Sequence, residues 1–374
     1  MVFIIFIIPQ AVAPNFATLI VTRIFSGGCA GILENIVGGI VCDIWETEQE
    51  RGFPMSLYIW SLLAGVTIGP VIGGAIIHYL DWRWICYIQL IFYGVFFLLP
   101  IFCLPETRGP VLVKRRAKRI RKQTGKEYYA QAELETPKFN QLAEEAVLRP
   151  LKMLSTEYVV ASFTVWSAFC FGTVFLFSQS VSQVYRESYD WPPFLTGAVQ
   201  SSIVVGESLG LLASIPQDRL FFRSAKRNKE RPGQPIPESR LYLSIVGGFL
   251  GLMAGNFWYG SASSPDLPWI LPTVGLALVG FGIFTVVSAV SNYITDSYAR
   301  FAASGLAAVA FGENVFAAFL PLATQSMYTN LGFQWASYAL GFVSLALSFA
   351  PVVLLIWGKR FRERSPFMRE ASRG

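Results

Sequence analysis

Apolar runs of twenty or more residues recur from one end of this chain to the other, and no other feature limits its fold so tightly. About 20 apolar residues in a helix cross the hydrocarbon core of a bilayer. Within lipid, a helix is one of the few structures that satisfies its own backbone N–H and C=O groups. Runs near 16–41, 54–79, 84–104, 158–183, 195–215, 240–260, 268–295, 300–327 and 333–357 reach that length. A soluble chain would dress its surface with roughly a quarter charged residues. Here 14% of the 374 residues are charged and 53% are hydrophobic, with a mean hydropathy of +0.47. The chain reads as an all-α, polytopic membrane protein. A soluble enzyme, a disordered regulator and a secreted disulfide scaffold are excluded together.

Met1 to about Ala13 is apolar too, but at 1.5 Å per residue it extends only roughly 20 Å. It has no basic n-region and no small-residue cleavage site of the kind a signal peptide carries, and it reads as the second half of a transmembrane helix. Counting it, about ten spans are expected, split four and six by the polar stretch from Pro105 to Glu157. The expected organisation is an N-terminal helical bundle over 1–104, truncated at its start, a basic linker loop over 105–157, a six-helix C-terminal bundle over 158–357 and a tail over 358–374.

Charge orients these spans. The run from Lys114 to Lys122, the loop from Asp218 to Arg240 and the segment after Trp357 are all basic, and alternation of loops puts them on one side. All but Arg23, Arg83 and Arg186 of the 30 Lys and Arg residues fall there. Excess Lys and Arg mark the cytoplasmic side, so these loops and the C-terminus are expected to be cytoplasmic, in contact with lipid headgroups and not with nucleic acid. Trp82, Trp84, Trp191, Trp258, Trp269 and Trp335 fall at outer span ends and Trp45 and Trp357 at inner ends, as an interfacial aromatic belt requires.

Catalytic material is scarce. Cys29, Cys42, Cys86, Cys103 and Cys170 all lie in apolar runs without paired spacing, and read as small buried hydrophobes. His78 is the sole histidine. No catalytic constellation, metal site or cofactor motif is expected, and the chain does not read as an enzyme.

Several short patterns add up to a resemblance. Arg23 is followed by Gly27, Gly28 and Gly31; the next span carries Gly65, Gly69, Pro70, Gly73 and Gly74; then come Asp81-Trp82-Arg83-Trp84 and Leu104-Pro105-Glu106-Thr107. Downstream lie Pro237-Glu238-Ser239-Arg240-Leu241, Asn292 to Tyr298 and Ser365-Pro366-Phe367. Together they resemble the major facilitator superfamily, and within it the fungal twelve-span drug:proton antiporters. The glycine–proline pattern is similar to the family's antiporter motif. The resemblance aligns the chain from the middle of the family's third helix, with the first two helices and the signature loop between helices two and three lying before it. It implies a two-bundle fold and proton-coupled export of drugs or other small organic molecules by alternating access, by a monomer in the plasma membrane. A sugar-like nutrient facilitator is the alternative within the fold, prompted by Pro105 to Gly109. A non-transporting remnant or membrane interaction protein is the alternative outside it.

Physical chemistry nominates residues for these roles. Glycine at every fourth position lines one helix face and lets another backbone approach, and the face of Ser202, Gly206 and Gly210 is its expected partner at a gating seam. A charge inside the bilayer is costly and usually faces a cavity or a partner, which singles out Arg23, Glu34, Glu207 and Glu313. Arg23 and Glu34 are eleven residues apart, three turns on one face, so Glu34 is the first candidate for the coupling proton, with Arg23 tuning it. Structural pairing is the preferred reading for Glu207, and for Glu313 it stands level with a role in the cavity. The resemblance adds cavity positions on the family's seventh and tenth helices: Trp166, Phe169, Gln179, Gln183, Phe281, Phe284 and Asn292. Asp43 and Asp296 are read as anchors at the basic-loop ends of their helices.

Overall fold

The computed structural model describes residues 2–45, 47–103, 105–134, 144–228 and 232–371, with the side chains of 32–36, 42, 48, 100, 101 and 132 outside that description. Every expected span carries a helix. The first four are α1 (Val2–Ala11), α2 (Phe16–Ile44), α3 (Glu48–Tyr79) and α4 (Arg83–Cys103). Asn15 starts α2 by accepting the Thr18 N–H on its side chain at 2.8 Å, and Thr47 caps α3 in the same way. Such caps satisfy N–H groups that have no partner within the helix.

The linker is itself partly helical. In α5 (Gly109–Thr124) Pro110 occupies the first turn, where its missing N–H costs nothing, and Gly125 closes the end at φ 68°. A helix ending this way needs a residue tolerant of the left-handed conformation. Next come α6 (Arg149–Thr156) and α7 (Tyr158–Tyr189). A short helix over Pro193–Val199 leads into α8 (Ser201–Ser224). They are followed by α9 (Pro237–Ala262), α10 (Ile270–Tyr298), α11 (Ala302–Arg364) and α12 (Pro366–Ala371). α11 contains two expected spans, separated at Gly332, whose φ of 79° and ψ of 160° suit glycine alone.

The chain separates into two compact units, Met1–Tyr58 with Ile76–Phe139, and Ile59–Ala75 with Asn140–Gly374. In the first, α1 packs on α2 and α4, with Ile7, Ala11 and Cys86 at the contact and a Gln10 amide donating to Ser26 Oγ at 2.7 Å. In the second, α7 lies along α11 and α10 lies between α8 and α9. Small residues make these approaches possible. A Cβ on Gly251 would lie 2.5 Å from Gly282 Cα, so α9 and α10 touch backbone to backbone. One on Gly172 would meet the Leu320 side chain at 2.9 Å and the Phe316 carbonyl oxygen at 3.2 Å, where α7 packs on α11. Packing through small residues is the membrane solution, because lipid offers helices no hydrophobic drive to associate.

Among the described residues, five stretches are long and apolar enough to cross a membrane: Gln49–Tyr79, Tyr158–Tyr189, Pro193–Arg227, Pro237–Ala262 and Ile270–Arg364. Large apolar side chains such as Phe102, Phe319 and Leu322 point outward, as they must where the solvent is lipid.

Candidate functional site

The glycine-rich stretch of α3 lies inside the second unit, and its geometry there overturns one expectation. Leu63, Ala64 and Thr67 are buried, whereas Gly65 and Gly69 are exposed. A Cβ on Gly65, Gly69 or Gly73 would meet nothing within 4 Å among the described residues. The every-fourth-residue stripe therefore does not pack on α8. At about 100° per residue, Thr67 stands some 200° around the helix from Gly65, so the packed face is the opposite one. Nor do Gly206 and Gly210 face that stripe. A Cβ on Gly206 would run into the α10 backbone at Ala277 and Phe281, and one on Gly210 into the Phe284 ring. These two glycines serve the α8–α10 contact instead.

What joins α3 to α8 is a polar pair at mid-helix and a close approach at one end. Thr67 Oγ1 lies 3.0 Å from Glu207 Oε1, with both side chains buried. About two turns away along α3, Trp60 Nε1 donates to Ser208 Oγ at 3.1 Å. At the end nearer Tyr79, a Cβ on Gly74 would come within 2.7 Å of Pro193 O, and one on Gly197 within 2.9 Å of Pro70 O. Gly74 and Pro70 thus make the close contact that the sequence assigned to the whole motif.

The other charged candidates are dispersed. Arg23 is exposed on α2 and borders an open recess of about 400 Å³ with Phe16, Leu19, Ile20 and Ile24. Glu34 is on the α2 backbone, but its side chain is outside the described residues. Glu313 of α11 is half-buried and accepts a hydrogen bond from Ser167 of α7.

The aromatic and amide candidates divide by burial. Trp166, Phe169 and Phe284 are packed inside the second unit, with Trp166 beside Phe163 and Phe284 against Gly210. Phe281 is half-buried where α10 meets Gly206. Gln179 is exposed, Gln183 donates to Thr329 at 3.4 Å, and Asn292 donates to Ser288 O of its own helix at 2.8 Å.

A second polar cluster gathers where the basic segments attach. Arg240, in the first turn of α9, reaches Asp218 at 2.7 Å and Asp296 at 2.9 Å, with its guanidinium 3.5 Å from the centre of the Phe221 ring. Nearby Glu238 pairs with Arg362 of α11. The Tyr298 hydroxyl donates to buried Glu157 at 3.1 Å, tying the end of α10 to the start of α7.

The sequence profile of the Major Facilitator Superfamily matches residues 1–312. The chain belongs to that family. Its relatives include the efflux pump atB of Aspergillus terreus, 34% identical over 98% of this chain and 77% of that protein. The MFS transporter cpaT of Aspergillus oryzae is 35% identical over 98% of this chain and 73% of that one. The citrinin biosynthesis cluster MFS transporter mrr1 of Monascus ruber is 33% identical over 98% and 73%. Among solved structures, the xylose transporter XylE from E. coli, in a partially occluded inward-open conformation, superposes with a TM-score of 0.59 at 16% identity, over 95% of this chain and 79% of XylE. The superposition establishes the fold. The chain is a multi-pass membrane transporter whose relatives include fungal efflux pumps.

Within this major facilitator chain, Thr67 and Ser167 hold carboxyls of facing helices, roles that their sequence surroundings do not announce. Thr67 and Ser167 are short hydroxyl residues in apolar runs, and such residues often bond their own helix; Thr67 Oγ1 lies 3.0 Å from Leu63 O. The available signal was a mid-span carboxyl on the facing helix, which requires a donor or a proton of its own. Arg240 was visible within its motif, but its two carboxylate partners were not.

Proposed function

We propose that this transporter exports small organic molecules in exchange for protons, by alternating access. The observation that carries the reading is likeness over nearly the whole chain to fungal proteins described as efflux pumps. The α3 motif of Gly65, Gly69, Pro70, Gly73 and Gly74 supports it. In this reading α3 is a moving element whose exposed glycine stripe receives another backbone at a different stage of the cycle. Arg23, Glu34, Glu207 and Glu313 form the pool of groups that handle protons or charged solute. Gln179, Gln183, Phe281 and Asn292, with the buried Trp166, Phe169 and Phe284 behind them, shape the solute path. The protein acts as a monomer in the plasma membrane, its basic segments and C-terminus facing the cytoplasm and anionic headgroups, and it needs no cofactor.

The test is transport into proteoliposomes with an acidic lumen, where the lumen stands for the cell exterior. The name of the Monascus ruber relative makes citrinin the first compound to try. Accumulation above protein-free liposomes, abolished by a protonophore, is the expected result. Equilibration indifferent to the gradient would point to a facilitator, and no flux for any member of a chemically broad panel would remove the exporter reading.

A further inference from the structure

Among the described contacts between the 59–75 stretch of α3 and α8, two are polar side-chain pairs whose protons count differently. At the first, Trp60 Nε1 donates to Ser208 Oγ at 3.1 Å, and the Ser208 hydroxyl donates to Val204 O at 2.7 Å. Each donor has one acceptor, and the pair is closed. At the second, the Thr67 hydroxyl lies 3.0 Å from Leu63 O and 3.0 Å from Glu207 Oε1. A hydroxyl has one proton, so it cannot fully serve both acceptors. Glu207 has no exposed surface, and its Oε2 has no hydrogen-bond partner among the described residues. The site is one proton short.

A proton on Glu207 closes it. The carboxylic O–H then donates to Thr67 Oγ1, and the Thr67 hydroxyl donates to Leu63 O, which reproduces the arrangement at Ser208. Among the described residues of this unit, no cation pairs with Glu207 to do the same work. The 59–75 stretch of α3 contains no titratable residue. On α10, Gly206 marks the level of Ala277 to Phe281. The titratable residues of that helix, Tyr293, Asp296 and Tyr298, begin twelve residues further on, about 18 Å along the axis, and Asp296 is held by Arg240. On α8 itself the nearest ionisable side chain is Asp218, eleven residues away and also bound to Arg240. An ionised carboxylate buried without such a partner is strongly disfavoured.

We infer that Glu207 is the proton carrier of the transport cycle, holding its proton on Thr67 while α3 and α8 are together and exchanging it with water when they part. The inference rests on the proton-exchange reading above, and it moves the coupling role from Glu34 to the α3–α8 contact. Gly74 and Gly197 suit it, because their close approach leaves one end of the contact free of side chains that would resist parting.

Two measurements on the purified protein test it. The first is the infrared difference spectrum between acidic and alkaline pH, followed through the carboxylic C=O band. Gln at 207 is isosteric and its amide donates to Thr67 Oγ1 as the protonated acid does, so E207Q should fold while losing one such band. T67V should keep the band and shift its frequency, because the acid loses its acceptor. The second is citrinin transport in proteoliposomes. E207Q should drop to the protein-free level in gradient-driven accumulation while solute–solute counterflow persists, and E207D, which retains an ionisable group, should recover part of the accumulation. An E207Q difference spectrum identical to wild type overturns the assignment whatever transport does. A wild-type protein that counterflows citrinin without responding to the gradient overturns the exchange reading, and with it the coupling role, even where the band shows that Glu207 titrates.

Discussion

Replacing Arg240 should damage this fold more than replacing any other cationic side chain described here. The side chain is only 6% exposed, bridges Asp218 and Asp296, and places its guanidinium 3.5 Å from the centre of the Phe221 ring. Removing it leaves two carboxylates converging on an empty site. Taking one partner from a buried ion cluster costs about 3–5 kcal/mol, mostly through the charges left behind. R240M keeps an apolar stem over Phe221, so its cost isolates the charge. At roughly 2–4 °C per kcal/mol for a unit of this size, the melting temperature should fall by about 6–20 °C. D218N should cost less, about 1–3 kcal/mol, since the Asp218 side chain is 21% exposed and solvent shares its charge. The decisive comparison is R240M/D218N/D296N. With every charge gone, the neutral cluster should recover a clear part of the R240M loss, because a buried ion cluster contributes less than its broken form costs. Thermal unfolding of detergent-solubilised protein, followed by the fraction remaining monodisperse on size exclusion, ranks the four proteins. A triple variant no more stable than R240M, or an R240M no worse than D218N, would refute the reasoning.

Two further substitutions separate the faces of α3. G69L places its side chain where nothing lies within 4 Å among the described residues, so it should reach the cell surface at wild-type levels and still lose transport, as measured by surface labelling and efflux. G74L forces a Cβ to within 2.7 Å of Pro193 O and should lose about 1–3 kcal/mol through overpacking, visible as lower expression and earlier melting. At the other end of the second unit, Y298F deprives buried Glu157 of its donor and should cost about 1–3 kcal/mol. E157Q, whose amide oxygen still accepts from Tyr298, should cost less, and melting curves of the two distinguish them.

The spans were legible because lipid leaves a helix almost no alternative, and length with hydropathy therefore determines them. The break at Gly332 was legible on similar grounds, between apolar runs ending near 327 and beginning near 333. Side-chain partners were not. Arg240 meets Asp218 and Asp296 from 22 and 56 positions away, and local spacing says nothing about such distances. The helical character of the linker was hidden by its charge, since a basic run reads as a loop until Pro110 and Gly125 are seen as the two ends of a helix.

The α3–α8 contact shows why a real motif can point to the wrong face. Gly65, Gly69 and Gly73 form a stripe so regular that it invites a partner, yet a second face runs along the opposite side through Trp60, Leu63, Ala64, Thr67 and Gly74. That face mixes sizes and polarities, and no sequence rule selects it. It is nonetheless the face on which Ser208 and Glu207 converge. A carboxyl buried in an apolar helix has to find its proton or its donor somewhere, and among the described contacts α3 offers the Thr67 hydroxyl, already shared with Leu63 O. In the proposed cycle the two faces have different tasks: a polar face that holds α8 by one exchangeable proton, and a glycine face that receives another backbone. Loss of transport in G69L with an unchanged infrared band at Glu207 would show that the two faces act at separate steps. Loss of that band in G69L would show instead that the glycine face sets the protonation of the polar one, and that α3 turns or shifts as a single rigid body.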